Sequence, residues 1–84
     1  PNAHYWLGQL LFNKQQLSEA SEQFNIVANR FTDSSKRPDA LLKLGVIAER
    51  TGDSSTARQL FQQVVNDYPD SSAKRLAESR LNNL

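Results

Sequence analysis

The sequence predicts an all-α repeat fold, a superhelix of two helical hairpins closed by a C-terminal capping helix, and three observations predict it. The chain matches itself when it is shifted by 37 positions. Its apolar residues recur at helical spacing inside each unit. Gly and Pro number only three each among 84 residues, while Leu, Ala, Gln, Glu, Lys and Arg are plentiful, a composition that favours helix over sheet.

The self-match is dense at small and aromatic positions. Leu7-Gly8 falls on Leu44-Gly45, Ala20 on Ala57, Phe24 on Phe61 and Val27 on Val64. Phe31 falls on Tyr68, and Asp33-Ser34-Ser35 on Asp70-Ser71-Ser72. The same shift carries Ala40 to Ala77 and Leu44 to Leu81, so a third unit begins and stops after one helix. The 84 residues thus form one domain, with units at about 1–34 and 38–71 and a closing helix at about 71–83.

Each helix has its own justification. In the first, near 3–14, His4, Leu7, Gly8 and Leu11 share one face and are expected to pack inward. Gly8 inside a helix costs about 1 kcal/mol against Ala. Its recurrence as Gly45 therefore indicates a close approach of two helices, filled by Phe24 in one unit and Phe61 in the next. Asn13-Lys14-Gln15-Gln16 is a polar break, after which Ala20, Phe24, Val27 and Phe31 line the second helix, near 18–31. The third, near 37–51, ends in Thr51-Gly52-Asp53-Ser54, where Gly52 suits a left-handed residue and Ser54 or Ser55 can cap the fourth. The fourth, near 55–67, stops at Asp67-Tyr68-Pro69-Asp70-Ser71, since proline cannot continue it. Asp70 or Ser71 can start the fifth, near 71–83.

Composition excludes several kinds of function. Ten Lys+Arg against nine Asp+Glu leave a formal charge of +1, so no overall field draws the chain to nucleic acid or an anionic membrane. No apolar run approaches the roughly 20 residues of a membrane-inserted helix. Without cysteine there are no disulfides, zinc thiolates or thiol nucleophiles. The lone His4 lies on an inward face, and the serines cluster in caps and turns, where backbone bonding accounts for them. Asp33-Ser34-Ser35 and Asp53-Ser54-Ser55 lack the ligand alternation of a calcium loop. The pairs Lys36-Arg37 and Lys74-Arg75 read as solvated loop ends rather than a phosphate-tracking stripe. No catalytic, cofactor or metal site is expected, and the chain reads as a non-enzyme. Because it opens at Pro1 without Met, it is expected to be part of a longer chain.

What remains is binding. Stacked hairpins leave the first helix of each unit lining a concave groove. Opposite the inward face of the first helix stand Tyr5, Gln9, Phe12 and Asn13, with Asn2 at one end. Adding 37 reaches Leu42, Val46, Glu49 and Arg50 in the next unit. Tyr5, Phe12, Leu42 and Val46 are too apolar for an idle solvent face, so a partner groove is expected, with packing into the chain's own core as the competing reading. A second face, Ala3, Trp6 and Leu10, points toward the side where another repeat would stack. It is read as a stacking face, and as a self-association face where it is left bare.

These residues resemble the tetratricopeptide repeat, whose unit of about 34 residues carries Leu-Gly and later Ala, an aromatic and Pro at fixed spacing. Leu7-Gly8, Ala20 and Phe24 carry the likeness in the first unit, and Leu44-Gly45, Gly52, Ala57, Phe61 and Pro69 in the second. His4 and Leu41 stand where the family has tryptophan, Val27 and Val64 replace a late alanine, and Thr32 replaces a proline. The resemblance implies a protein-binding scaffold. Some relatives grip a C-terminal carboxylate with groove lysines and asparagines, but Tyr5, Gln9, Leu42 and Val46 occupy those places here, so that clamp is not expected.

A narrower resemblance covers the whole chain. The opening Pro1-Asn2-Ala3-His4-Tyr5-Trp6-Leu7-Gly8-Gln9-Leu10 is similar to the C-terminal repeat domain of the cell-division coordinators of the Tol-Pal system. Leu44-Gly45-Val46-Ile47, Gly52-Asp53, Tyr68-Pro69 and Ala77-Glu78-Ser79-Arg80-Leu81 add to the likeness. It implies a periplasmic location, TolA as protein partner and a link to the peptidoglycan synthase machinery. It also implies an upstream repeat and a trimeric coiled coil. Outer-membrane assembly lipoproteins of the BamD kind are the alternative placement, and a purely architectural, self-associating module is the alternative function.

Overall fold

Two hairpins and a closing helix are what the chain forms: α1 Asn2–Asn13, α2 Leu17–Arg30, α3 Arg37–Arg50, α4 Ser54–Asp67 and α5 Ser72–Asn82. Every end falls within one residue of the position read from the sequence. This computed structural model describes residues 2–84, Asn2 by its backbone alone; Pro1 and the Asn2 side chain at the groove's end lie outside the described residues.

Each helix packs on the next along the chain, and α3 also touches α5 directly. Helices α1, α3 and α5 therefore form one layer and α2 and α4 the other. The shortest dimension, 17 Å, is that of two helix layers, whose axes pack about 8–10 Å apart. The layer whose members touch is the inner, concave one.

The hairpins close on the residues the repeat singles out. Phe24 and Phe61 are completely buried, beside Ala20 and Val27 in one unit and Ala57 and Val64 in the other. A Cβ built on Gly8 would lie 2.8 Å from Phe24 Cε1, and one on Gly45 only 2.5 Å from Phe61 Cε1. Both glycines are thus needed for close approach. His4 joins the same hairpin: its Nδ1 lies 2.9 Å from Gln23 Oε1, and its ring stacks on Phe31 at 5.8 Å.

Four readings are corrected. Leu7, expected to pack inward, is 44% exposed, whereas Tyr5 and Phe12 are buried. Helix α1 is rotated by somewhat under one residue step, a step being about 100°. Two aromatic rings bury more area than Leu7 would, and the Tyr5 ring meets that of Phe24 at 5.7 Å. The α4 cap is Asp53 rather than Ser54 or Ser55, since the helix begins at Ser54. The Thr56 N–H donates to Asp53 Oδ1 at 3.2 Å, and hydrogen bonding from the Thr56 side chain first, then from its backbone N–H, holds the carboxyl below its ordinary pKa. Ser71 precedes α5, but its hydroxyl donates back to the Tyr68 carbonyl at 2.8 Å instead of capping the helix. Arg37 is no solvated loop end. Its Nε donates to the Ala28 carbonyl at 2.8 Å and its Nη1 to the Tyr68 hydroxyl at 2.7 Å, tying α2, α3 and the end of α4 together.

The two hairpin turns use one backbone shape with different residues. Gly52 has φ of 86°, which glycine adopts freely. Its equivalent 37 positions earlier, Gln15, takes φ of 67° without that freedom. No helix among the described residues is long and apolar enough to cross a membrane.

Candidate protein-binding face

Helices α1, α3 and α5 present the inner layer, and the predicted groove residues fall on it unevenly. Tyr5, Phe12, Leu42 and Val46 are each more than nine-tenths buried, so they form the floor and not the walls. The expectation of open apolar contacts is corrected accordingly. Gln9 is half-buried; its Nε2 donates to Asn13 Oδ1 at 3.4 Å, while its Oε1 is buried with no hydrogen-bond partner among the described residues. Asn13 and Arg50 are exposed, and Glu49 is half-buried.

Cations cover the floor. Lys43 Nζ and Arg50 Cζ each lie 4.7 Å from the centroid of the Phe12 ring. Lys36, from the turn between α2 and α3, sits 5.2 Å from the Tyr5 ring and 5.0 Å from that of Trp6. The charged heads themselves stand over the rings, whose quadrupoles attract them. Phe12 and Tyr5 belong to the buried core, and these side chains lie over their rings.

Lys36, Lys43 and Arg80 were missed by sequence reasoning. Trp6, Lys43 and Arg80 are spaced by 37 and so hold one position on α1, α3 and α5. That spacing was the available signal, but the row reads as unlike residues, and Trp6 groups with Ala3 and Leu10 as a stacking and self-association face. Arg80 Nη1 pairs with Glu49 Oε1 at 3.4 Å across α3 and α5. Burial first, then repulsion from Arg50 and Arg80, lowers the Lys43 pKa. Burial first, then the Asp39 carboxylate, raises that of the Tyr5 hydroxyl.

The other predicted face is open. Trp6 is 56% exposed, Leu10 50% and Ala3 exposed, and Leu7 completes the stripe. In α3, which has α2 on one side and α4 on the other, the equivalents Ala40, Leu44 and Ile47 are buried. No group of three or more His, Cys, Asp or Glu among the described residues could hold a metal ion.

This arrangement defines a class of protein, a tetratricopeptide-repeat-like helical repeat domain. Residues 39–71, the α3–α4 hairpin, match the model of the tetratricopeptide repeat family, whose repeats generally mediate contacts between proteins. The α1–α2 hairpin carries the same residues as that matched unit at its packing positions: Leu7-Gly8, Ala20, Phe24 and Val27 against Leu44-Gly45, Ala57, Phe61 and Val64. No curated protein matches the chain.

Proposed function

We propose that the chain is a protein-binding scaffold of the periplasmic Tol-Pal system, a repeat domain of the CpoB (YbgF) kind. On this reading it takes a segment of TolA on its α1–α3–α5 face and helps to coordinate peptidoglycan synthesis with outer-membrane constriction during division. The observation that supports binding on this face is its layer of solvent-reaching cations held over buried aromatic rings. The placement in the Tol-Pal system rests on the likeness of the opening decapeptide and the later segments. Titrating a purified TolA fragment into the chain tests both. Binding should move the resonances of Lys43, Arg50 and Glu49, and Lys43→Glu or Arg50→Glu should weaken it while leaving helicity intact. Absence of TolA binding overturns the Tol-Pal placement; binding that moves only Trp6, Leu7 and Leu10 overturns the choice of face.

A second reading, a self-associating module, is favoured by the stripe formed by Ala3, Trp6, Leu7 and Leu10. Three of its side chains are large, apolar and 44–56% exposed. A 12-residue helix is only about 18 Å long, and its footprint falls short of the roughly 800 Å² per partner of a stable dimer. Association through it is therefore weak and concentration-dependent. Sedimentation of the parent and of Trp6→Glu checks this: a parent that stays monomeric at millimolar concentration refutes it.

A further inference from the structure

We infer that the Lys43, Arg50 and Arg80 cluster on α3 and α5 binds side-chain carboxylates of an acidic segment in the partner protein. The inference rests on the reading of the inner layer as the binding face and adds the chemistry of what binds there.

The chain's formal charge is only +1, yet three of its ten cations, Lys43, Arg50 and Arg80, lie near one another on this layer. The acidic groups nearest the cluster are Glu49 and Asp39. Glu49 is committed to Arg80, the one ion pair among the described residues. Lys43 and Arg50 thus have no carboxylate within ion-pair distance, although both are anchored on the same Phe12 ring. Like charges held together without a counter-ion repel, and the lowered pKa of Lys43 reports that repulsion alongside its burial. Carboxylates brought to Lys43 Nζ and to the Arg50 guanidinium would accept from them and relieve it.

Side-chain carboxylates fit better than a polyanion. A nucleic-acid contact gains affinity from roughly 6–10 phosphates neutralised along a stripe, whereas this cluster offers only Lys43, Arg50 and Arg80 and repels a dense anion through Glu49 and Asp39. Single carboxylates on an extended chain, spaced about 3.3 Å per residue, can meet the cations and avoid the acids. The anchoring ring also limits the side-chain entropy lost on binding.

The test uses capped hexaglutamate as probe, titrated into the isotope-labelled chain at low salt, with capped hexalysine and inorganic phosphate as controls. Hexaglutamate should give saturable shifts at Lys43, Arg50, Arg80 and Phe12, weakened by added salt. Lys43→Gln and Arg50→Gln should each lower affinity about three- to fivefold, the size of a partly exposed ion pair. Lys43→Arg should retain binding, and Glu49→Gln should strengthen it. Shifts scattered over the surface, equal response to hexalysine, or undiminished binding by both Gln variants overturns the inference, and so does phosphate reproducing the shifts. The two proposals fail separately. TolA bound on this face with no response to hexaglutamate overturns the acidic-segment chemistry alone; hexaglutamate bound with no TolA affinity overturns the Tol-Pal placement alone.

Discussion

Replacing Gly45 with alanine sets two effects of opposite sign against each other. Helix propensity alone favours alanine by about 1 kcal/mol. Packing opposes it. The new Cβ would stand 2.5 Å from Phe61 Cε1, 2.9 Å from Cδ1 and 3.0 Å from Cζ. Phe61 is completely buried, so its ring cannot swing into solvent, and α3 must move away from α4. Overpacking of this kind costs about 1–3 kcal/mol, and a 2.5 Å approach to an immobile ring belongs at the upper end. The net loss should be about 2 kcal/mol, which for a domain this small lowers Tm by about 10 °C. Gly8→Ala, with its closest approach at 2.8 Å, should lose less. Thermal melts of Gly45→Ala, Phe61→Leu and the double variant give a cycle that isolates the contact. The smaller side chain should absorb most of the alanine penalty. A Gly45→Ala chain that melts higher than the parent, as propensity alone requires, would refute the close-packing account of both glycines.

Three further outcomes follow from the same geometry. Gln15→Gly should raise stability by about 0.5–1 kcal/mol, because the left-handed backbone at φ of 67° costs a side chain about 1–2 kcal/mol, part of which glycine returns as lost chain entropy; a lower Tm would count against it. Phe61→Ala should cost about 3–5 kcal/mol, most of the stability of so short a chain, and a melt within a few degrees of the parent would mean the repeat register is wrong. Arg37→Lys cannot reach both the Ala28 carbonyl and the Tyr68 hydroxyl and should lose about 1.5–3 kcal/mol, whereas Tyr68→Phe loses less; equal, unchanged melts for both would leave Arg37 without a structural role.

The fold was legible because its determinants recur. Gly8 and Gly45, Phe24 and Phe61, and Val27 and Val64 meet one requirement at two places, and a shifted comparison finds repeated requirements. The rotation of α1 was not legible, since the helix is apolar almost all round: Leu7 and Leu11, Tyr5 and Phe12, and Trp6 and Leu10 each offer a plausible inner face. Local periodicity cannot choose among them; the choice is made by Phe24 on α2 and by Lys43 and Arg50 on α3, far away in sequence. The Arg37 contact to Tyr68 was hidden for the same reason, joining the start of α3 to the end of α4 at positions that no period relates.

The candidate site was hidden by the very comparison that exposed the fold. Positions that hold the hairpins together must repeat, but positions that face a partner answer to that partner, which differs along the groove. Tyr5 becomes Leu42 and then Ser79, Phe12 becomes Glu49, and Trp6 becomes Lys43 and then Arg80. A search for likeness therefore passes over them. In this chain the informative rows of the inner layer are those where equivalent helix positions disagree, and the Trp6, Lys43, Arg80 row changes from apolar to cationic as it crosses from α1 to α5. An extended segment lying along that row would need to change in the complementary sense, apolar over α1 and acidic over α3 and α5.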